Sequence, residues 1–206
     1  MQYPASLLDD KNDSDVLIVA FSGHAFKFGM IPVFEFYNFL NKHYPKYNKH
    51  FYIDTKLKHF HYGIQQISDS VETVETTVDY LRDKIKKYNK VVFMGVSSGG
   101  YAAILFGSLL NVTHVIAFIP QTILFGPNLD DKYRDLKLYI NNITKYYLYG
   151  DPNIQNKLDC HHIFHCERLC EFPNVIITPV PDCTEMSKIK QSGQLFDIIS
   201  GVLGDL

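Results

Sequence analysis

The chain has no tryptophan among its 206 residues; with heavy use of Lys, Asn, Ile, Tyr and Phe, this points to an A/T-rich genome and no more. No window approaches the ~20 apolar residues that cross a bilayer, which excludes a transmembrane helix. The opening MQYPASLLDDKNDSD is acidic and polar, without a basic start and apolar run, so no secretory signal is read in it. There are only four cysteines (Cys160, Cys166, Cys170 and Cys183), all in the last quarter. They make no disulfide scaffold, and reduced thiols in a cytoplasmic protein are the expectation. Charge of one sign is also lacking: 20 basic against 22 acidic residues leave a net −2, no field for nucleic acid or an anionic membrane. The basic stretch KHYPKYNKHFYIDTKLKHFH, interleaved with aromatics, reads as solvated surface. Gly/Ser linkers, internal repeats and low-complexity tracts are absent.

What is present is an α/β pattern of one domain's length, residues 1–206, with 1–14 expected as a loose N-terminal segment. VLIVAFS (16–22) is a continuous apolar run, the mark of a central strand covered on both faces. HFYID, KVVFMGV, HVIAFI, TKYYLYG and NVIITPV read as further strands. From Asp69 to Lys87 the residues Val71, Val74, Val78, Leu81 and Ile85 recur at three and four, which predicts a helix opened by an Asp69–Glu72 capping box. GGYAAILFGSLL, DCHHIFHCERLC and EMSKIKQSGQLFDIISGVL carry helical patterns between and after the strands. Alternation of this kind predicts a mainly parallel central sheet with helices on both faces and no room for a large lid.

The stretch VVFMGVSSGG ends a buried strand on two serines and two glycines. Gly95-Val96-Ser97-Ser98-Gly99 fits G-x-S-x-G, a tight strand-to-helix turn in which glycines two before and two after the nucleophile remove colliding Cβ atoms. The following helix aims N–H groups and its positive dipole end at the same spot, where an oxyanion would form. That makes Ser97 the candidate nucleophile and Ser98 the source of a backbone N–H. A second donor is expected from the loop after the first long strand, at Ser22, Gly23 and His24. A polar turn capping a helix, or a phosphate-binding loop, is the competing reading.

With these pieces the sequence resembles the α/β-hydrolase superfamily. Within it, the likeness is to short hydrolase-like proteins linked to bacterial capsule and surface-polysaccharide biosynthesis. The matching stretches are FSG, PVFEFYNFL, FYID…HFHYG, MGVSSGGYAAILFG, VIAFIPQTIL, D-x-x-H at Asp159–His162, and KIKQSGQL. The resemblance implies a serine hydrolase acting on acyl esters or amides, such as acetyl groups on sugars, without a cofactor.

One departure matters. Relatives of this kind carry a histidine in the loop after the last strand, where this chain has Asp182, Cys183 and Thr184, and no histidine follows His165. A serine hydroxyl needs a base within hydrogen-bond reach, worth roughly 10² to 10⁴ in rate. The candidate is His162 with Asp159 as its acid, and Asp151 is the alternative acid. CHHIFHCERLC would place His161 with His165, and His162 with Cys166 and Cys170, one helical turn apart, but the spacings match no zinc motif and no metal is assigned. The expected activity is hydrolysis of a small-molecule or carbohydrate ester with a short acyl group; the alternative is a catalytically degenerate protein of the same fold, used for binding or assembly.

Overall fold

A computed structural model describes residues 4–11, 13–24, 34–67, 73–126, 129–157 and 159–204. In chain order the elements are β1 (Ser6–Asp9), β2 (Val16–Phe21), α1 (Tyr37–His43), β3 (Asn48–Tyr52), α2 (Val74–Ile85), β4 (Lys90–Val96) and α3 (Ser98–Leu110). They continue with β5 (His114–Phe118), β6 (Lys145–Gly150), α4 (Phe164–Glu167), β7 (Val175–Pro179), α5 (Met186–Gln191) and α6 (Gln194–Gly204). The strands form a single sheet in the order β1-β3-β2-β4-β5-β6-β7, parallel throughout except for β1.

All six residues of β2 and all five of β5 are buried. Successive side chains point to opposite faces, so an unbroken buried run requires cover on both sides. Phe21 stands at the centre of that cover, packed against Phe60, Phe93 and Phe106. Elsewhere α1 meets α6 through Tyr44, whose hydroxyl bonds Ser200 Oγ at 2.8 Å and whose ring stacks on Phe196.

Three expectations change. The first fourteen residues are not loose throughout: β1 pairs with β3 in register Ser6↔Tyr52 to Asp9↔Lys49. Asp10 accepts hydrogen bonds from Tyr88 Oη at 2.6 Å and bonds His50 Nε2 at 2.7 Å. Asp69 and Glu72 lie outside the described residues, and the capping box of α2 is built by Thr73 and Thr76, each backbone N–H donating to the other's hydroxyl. The pattern of DCHHIFHCERLC yields a helix of only four residues, α4, because Asp159 starts a turn that delays it.

Every parallel strand ends at the same edge, and the loops there carry Ser22–His24, Asp54–His61, Ser97, Pro120–Thr122, Asp151–Lys157, Asp159–His162 and Asp182–Thr184. In open parallel sheets this edge is where sites are built.

Candidate active site

Ser97 sits between β4 and α3 with φ 54° and ψ −120°, a conformation rare for any residue with a side chain. It is held there from both sides. Its N–H donates to Phe118 O at 2.9 Å, and its carbonyl accepts from Tyr101 N at 3.0 Å. The glycines around it are steric necessities. A Cβ on Gly95 would lie 2.3 Å from the Gly99 carbonyl carbon, and one on Gly99 would lie 2.1 Å from Phe21 O. The turn is closed backbone on backbone, which presents the half-exposed Ser97 side chain at the edge. Ser98 is only 1% exposed and its hydroxyl has no partner among the described residues, so the hydroxyl presented at the edge is that of Ser97. As the first residue of α3, its N–H has no acceptor within the helix.

The imidazole at Ser97 is that of His161, not His162. His161 Nε2 lies 2.9 Å from Ser97 Oγ, while His162 Nδ1 is occupied by the Phe164 N–H at 2.8 Å. The reason is local. Asp159 Oδ1 accepts the His161 N–H at 2.8 Å and Asp159 O accepts the His162 N–H at 3.1 Å, an Asx turn rather than a helix. His162 also bridges back to Asp151 through the backbone, which fixes the turn against the end of β6. In this turn the i+2 side chain faces Ser97, not the i+3 side chain of the D-x-x-H pair. Burial holds the His161 imidazole below the ordinary histidine value, against the upward pull of Asp159, so at neutral pH it is unprotonated and free to take a proton. Asp159 Oδ1 stands 3.9 Å from His161 Nδ1, close enough to favour an imidazolium but too far for a direct hydrogen bond.

The loop after β2 is occupied differently from expectation. Gly23 N–H donates to Glu35 Oε2 at 2.8 Å, so it is not a free oxyanion donor. Ser22 Oγ accepts the Glu35 N–H at 3.0 Å and is likewise committed. The His24 side chain turns towards the 54–61 loop, where its Nε2 accepts the His59 N–H at 3.3 Å and the two rings lie 4.5 Å apart. Ala25–Gly29 of the same expected loop lie outside the described residues.

Neighbouring groups form a fixed wall. Asp54 accepts N–H bonds from Lys56, Lys58 and Phe60, and this holds Leu57, His59 and Phe60 at positive φ. Burial opposes ionisation of Asp54, but His24 and those N–H groups outweigh it and keep its carboxyl below the usual range. His59 bonds Gln121, and Thr122 N–H donates to His165 Nδ1 at 3.1 Å, so the PQT stretch ties the loop after β5 to both sides.

No protein-family model matches the chain, and no curated protein does. Solved structures do. The capsule O-acetyltransferase of Neisseria meningitidis serogroup A in complex with CoA (its H228A mutant) is 15% identical with a TM-score of 0.61, covering 97% of this chain and 93% of that one. MGS-MChE2, an α/β hydrolase enzyme from the metagenome of lagoon sediments at Mar Chica, Morocco, is 13% identical with a TM-score of 0.59, over 96% and 95%. A chain of the glycosylation-associated Gap123 complex of Streptococcus agalactiae is 17% identical with a TM-score of 0.60; 95% of this chain aligns, spanning 44% of that chain. This protein has the α/β-hydrolase fold.

In this α/β-hydrolase fold the loop after the last strand keeps a link to the acid position although its histidine is missing. Asp151, 2% exposed, accepts from the Thr184 hydroxyl at 3.3 Å and the Thr184 N–H at 3.4 Å. Its other oxygen accepts the Asn153 N–H at 2.9 Å, so Asp151 is a structural carboxylate with no bond to His161 or His162 side chains among the described residues. Cys183 is buried and its thiol is pushed up to about 12, by burial first and Asp151 second, which makes it inert as a nucleophile. Asp159, Cys160 and His161 bring three donor atoms within 4.8 Å of one another, the set among the described residues that a metal ion could bridge; its imidazole is the one facing Ser97. The ladder imagined along CHHIFHCERLC does not form, because His161 and His162 precede α4 and Cys166 is buried.

Sequence reasoning missed His161 and Glu35. The signal for His161 was the Asx-turn propensity of Asp159; for Glu35 it was an acidic residue alone among the aromatics of FEFYNFL.

Proposed function

We propose that this protein is a serine acyl hydrolase acting on short-acyl esters of small molecules or carbohydrates, with Ser97 as nucleophile and His161 as general base. The observation that carries the reading is the 2.9 Å approach of His161 Nε2 to the hydroxyl of a strained elbow serine. Ser97 Oγ attacks the ester carbonyl as its proton passes to His161 Nε2. The oxyanion forms against the Ser98 N–H and the positive end of α3. As the intermediate collapses, His161 returns the proton to the departing alcohol, leaving an acyl group on Ser97. Water, deprotonated by the same imidazole, then releases the acid. Asp159 acts on the imidazolium through space, as a screened and partly exposed charge.

The likeness to a capsule O-acetyltransferase supports an acyl group as the cargo, and a saccharide hydroxyl in place of water would turn the same two steps into transfer. The test is labelling by a fluorophosphonate probe together with hydrolysis of a short acyl ester. Ser97→Ala should abolish both, and His161→Ala should lower hydrolysis about 10²- to 10⁴-fold. A wild-type protein that neither labels nor hydrolyses would leave the degenerate, binding or assembly role as the better reading.

A further inference from the structure

We propose, resting on the acyl-transfer reading above, that Glu35 is a positioning residue of this site: its buried carboxyl clasps Gly23 just after β2 and so sets the backbone that offers a second N–H to the oxyanion beside Ser97. Two reciprocal bonds make the clasp. Glu35 Oε2 accepts the Gly23 N–H at 2.8 Å, and the Glu35 N–H donates to Ser22 Oγ at 3.0 Å, pinning Glu35 to the end of β2. Glu35 and Ser22 are 7% and 3% exposed, so both bonds are shielded from solvent. The clasp also abuts the elbow directly. A Cβ on Gly23 would lie 2.9 Å from Val96 O and 3.7 Å from both Glu35 oxygens, which places the carboxyl beside the residue preceding Ser97. With the Gly23 N–H consumed by Glu35, the second donor in this proposal is the next N–H along the chain, that of His24.

Protonation follows from the surroundings. Burial pushes the Glu35 carboxyl up to about 8, against a smaller downward pull from the Gly23 N–H. Glu35 borders a cavity walled by Phe36, Val96, Met186 and Leu195, and the titratable groups that share it are Tyr37 of α1 and Lys190 of α5. His24 adjoins Gly23, and the Ser97–His161 pair follows Val96. Neutral Glu35 accepts through one oxygen and keeps its proton on the other. Once ionised, it places a negative charge beside the elbow, where the reaction creates a second one. The clasp therefore supports turnover below about pH 8 and opposes it above.

The experiment compares wild type, Glu35→Gln and Glu35→Ala in two readouts. In the first, kcat and KM for a short acyl ester are followed from pH 6 to 9.5. Glu35→Ala should lower kcat at pH 7 about tenfold to a hundredfold through misplacement of the donor, with KM nearly unchanged. Glu35→Gln, which still accepts the Gly23 N–H, should restore most of that loss while removing the alkaline fall in kcat. The second readout is the amide resonance of Gly23, which should titrate near pH 8 in wild type and not in Glu35→Gln. It also serves if Glu35→Ala fails to fold. If wild type neither labels nor hydrolyses yet Gly23 titrates as described, the hydrolase reading fails and the clasp stands. Matching kcat profiles and Gly23 titrations in wild type and Glu35→Gln overturn the inference. So does a rise in kcat in Glu35→Ala, which would make the carboxyl a plug.

Discussion

Ser97 and His161 belong to loops 64 residues apart in the chain, and each is aimed by a neighbour rather than by its own preference. Ser97 is aimed by the glycines at 95 and 99, whose missing Cβ atoms let β4, α3 and the end of β2 touch. Gly99→Ala would force a Cβ to 2.1 Å from Phe21 O, a backbone atom that cannot rotate away. The expected outcome is loss of soluble protein, or destabilisation of more than about 3 kcal/mol in urea unfolding. His161 is aimed by the Asx turn at Asp159. His162→Ala should therefore keep hydrolysis within about threefold of wild type, where His161→Ala loses at least about a hundredfold. Equal losses in both variants would show that the turn, and not His161, matters. The elbow itself was legible because G-x-S-x-G states its own sterics. The identity of the base was not, since adjacent histidines differ only in how a turn or a helix would point them.

At the scale of elements, α2 and α3 show two ways of starting a helix. The first turn of α2 is satisfied by its own residues, through the Thr73–Thr76 box. Thr73→Ala should cost about 1 kcal/mol, read as a lowered urea midpoint with unchanged slope. The first turn of α3 has no side-chain cap from Ser97, and the N–H groups that a helix start leaves without intrahelical acceptors lie at the edge where Ser97 stands. A helix left uncapped beside a strained residue is a stability cost that the proposed chemistry explains. Tyr101, one turn into α3, anchors that helix to the neighbouring loops. Its hydroxyl donates to Tyr133 O at 2.6 Å and lies 2.8 Å from His61 Nε2, both partners being buried. The strands were readable as apolar runs bounded by turns. The length of α4 was not, because Asp159 competes for the backbone N–H groups that a longer helix would need.

Over the whole molecule, buried titratable groups set opposing pH trends. Burial lowers His61 and His165 to about 4, and His59 to about 4 with His24 adding to the effect. Their unfolded values lie near 6.5, so between about 6.5 and 4 the unfolded chain binds more protons and stability falls as pH falls. Glu35 runs the other way. Its folded value of about 8 exceeds the ordinary 4.5, so the folded chain binds the extra proton across that interval and stability falls as pH rises through it. Together these groups place maximum stability near pH 6.5, with a decline on both sides in urea midpoints measured from pH 4.5 to 8.5. Glu35→Gln should flatten the alkaline side and steepen the acid side, since Glu35 opposes the histidines between about 4.5 and 6.5.

The amino-acid sequence by itself determined the alternation of strand and helix, the parallel sheet and the place of the elbow, because apolar periodicity and glycine sterics act over a few residues. Tertiary structure alone decided that the turn at Asp159 stands against Ser97, that Asp151 stays with Thr184, and that Gly23 answers to Glu35. Those pairings join segments far apart in the chain, and their geometry comes from how loops pack at one sheet edge. No local pattern encodes that distance.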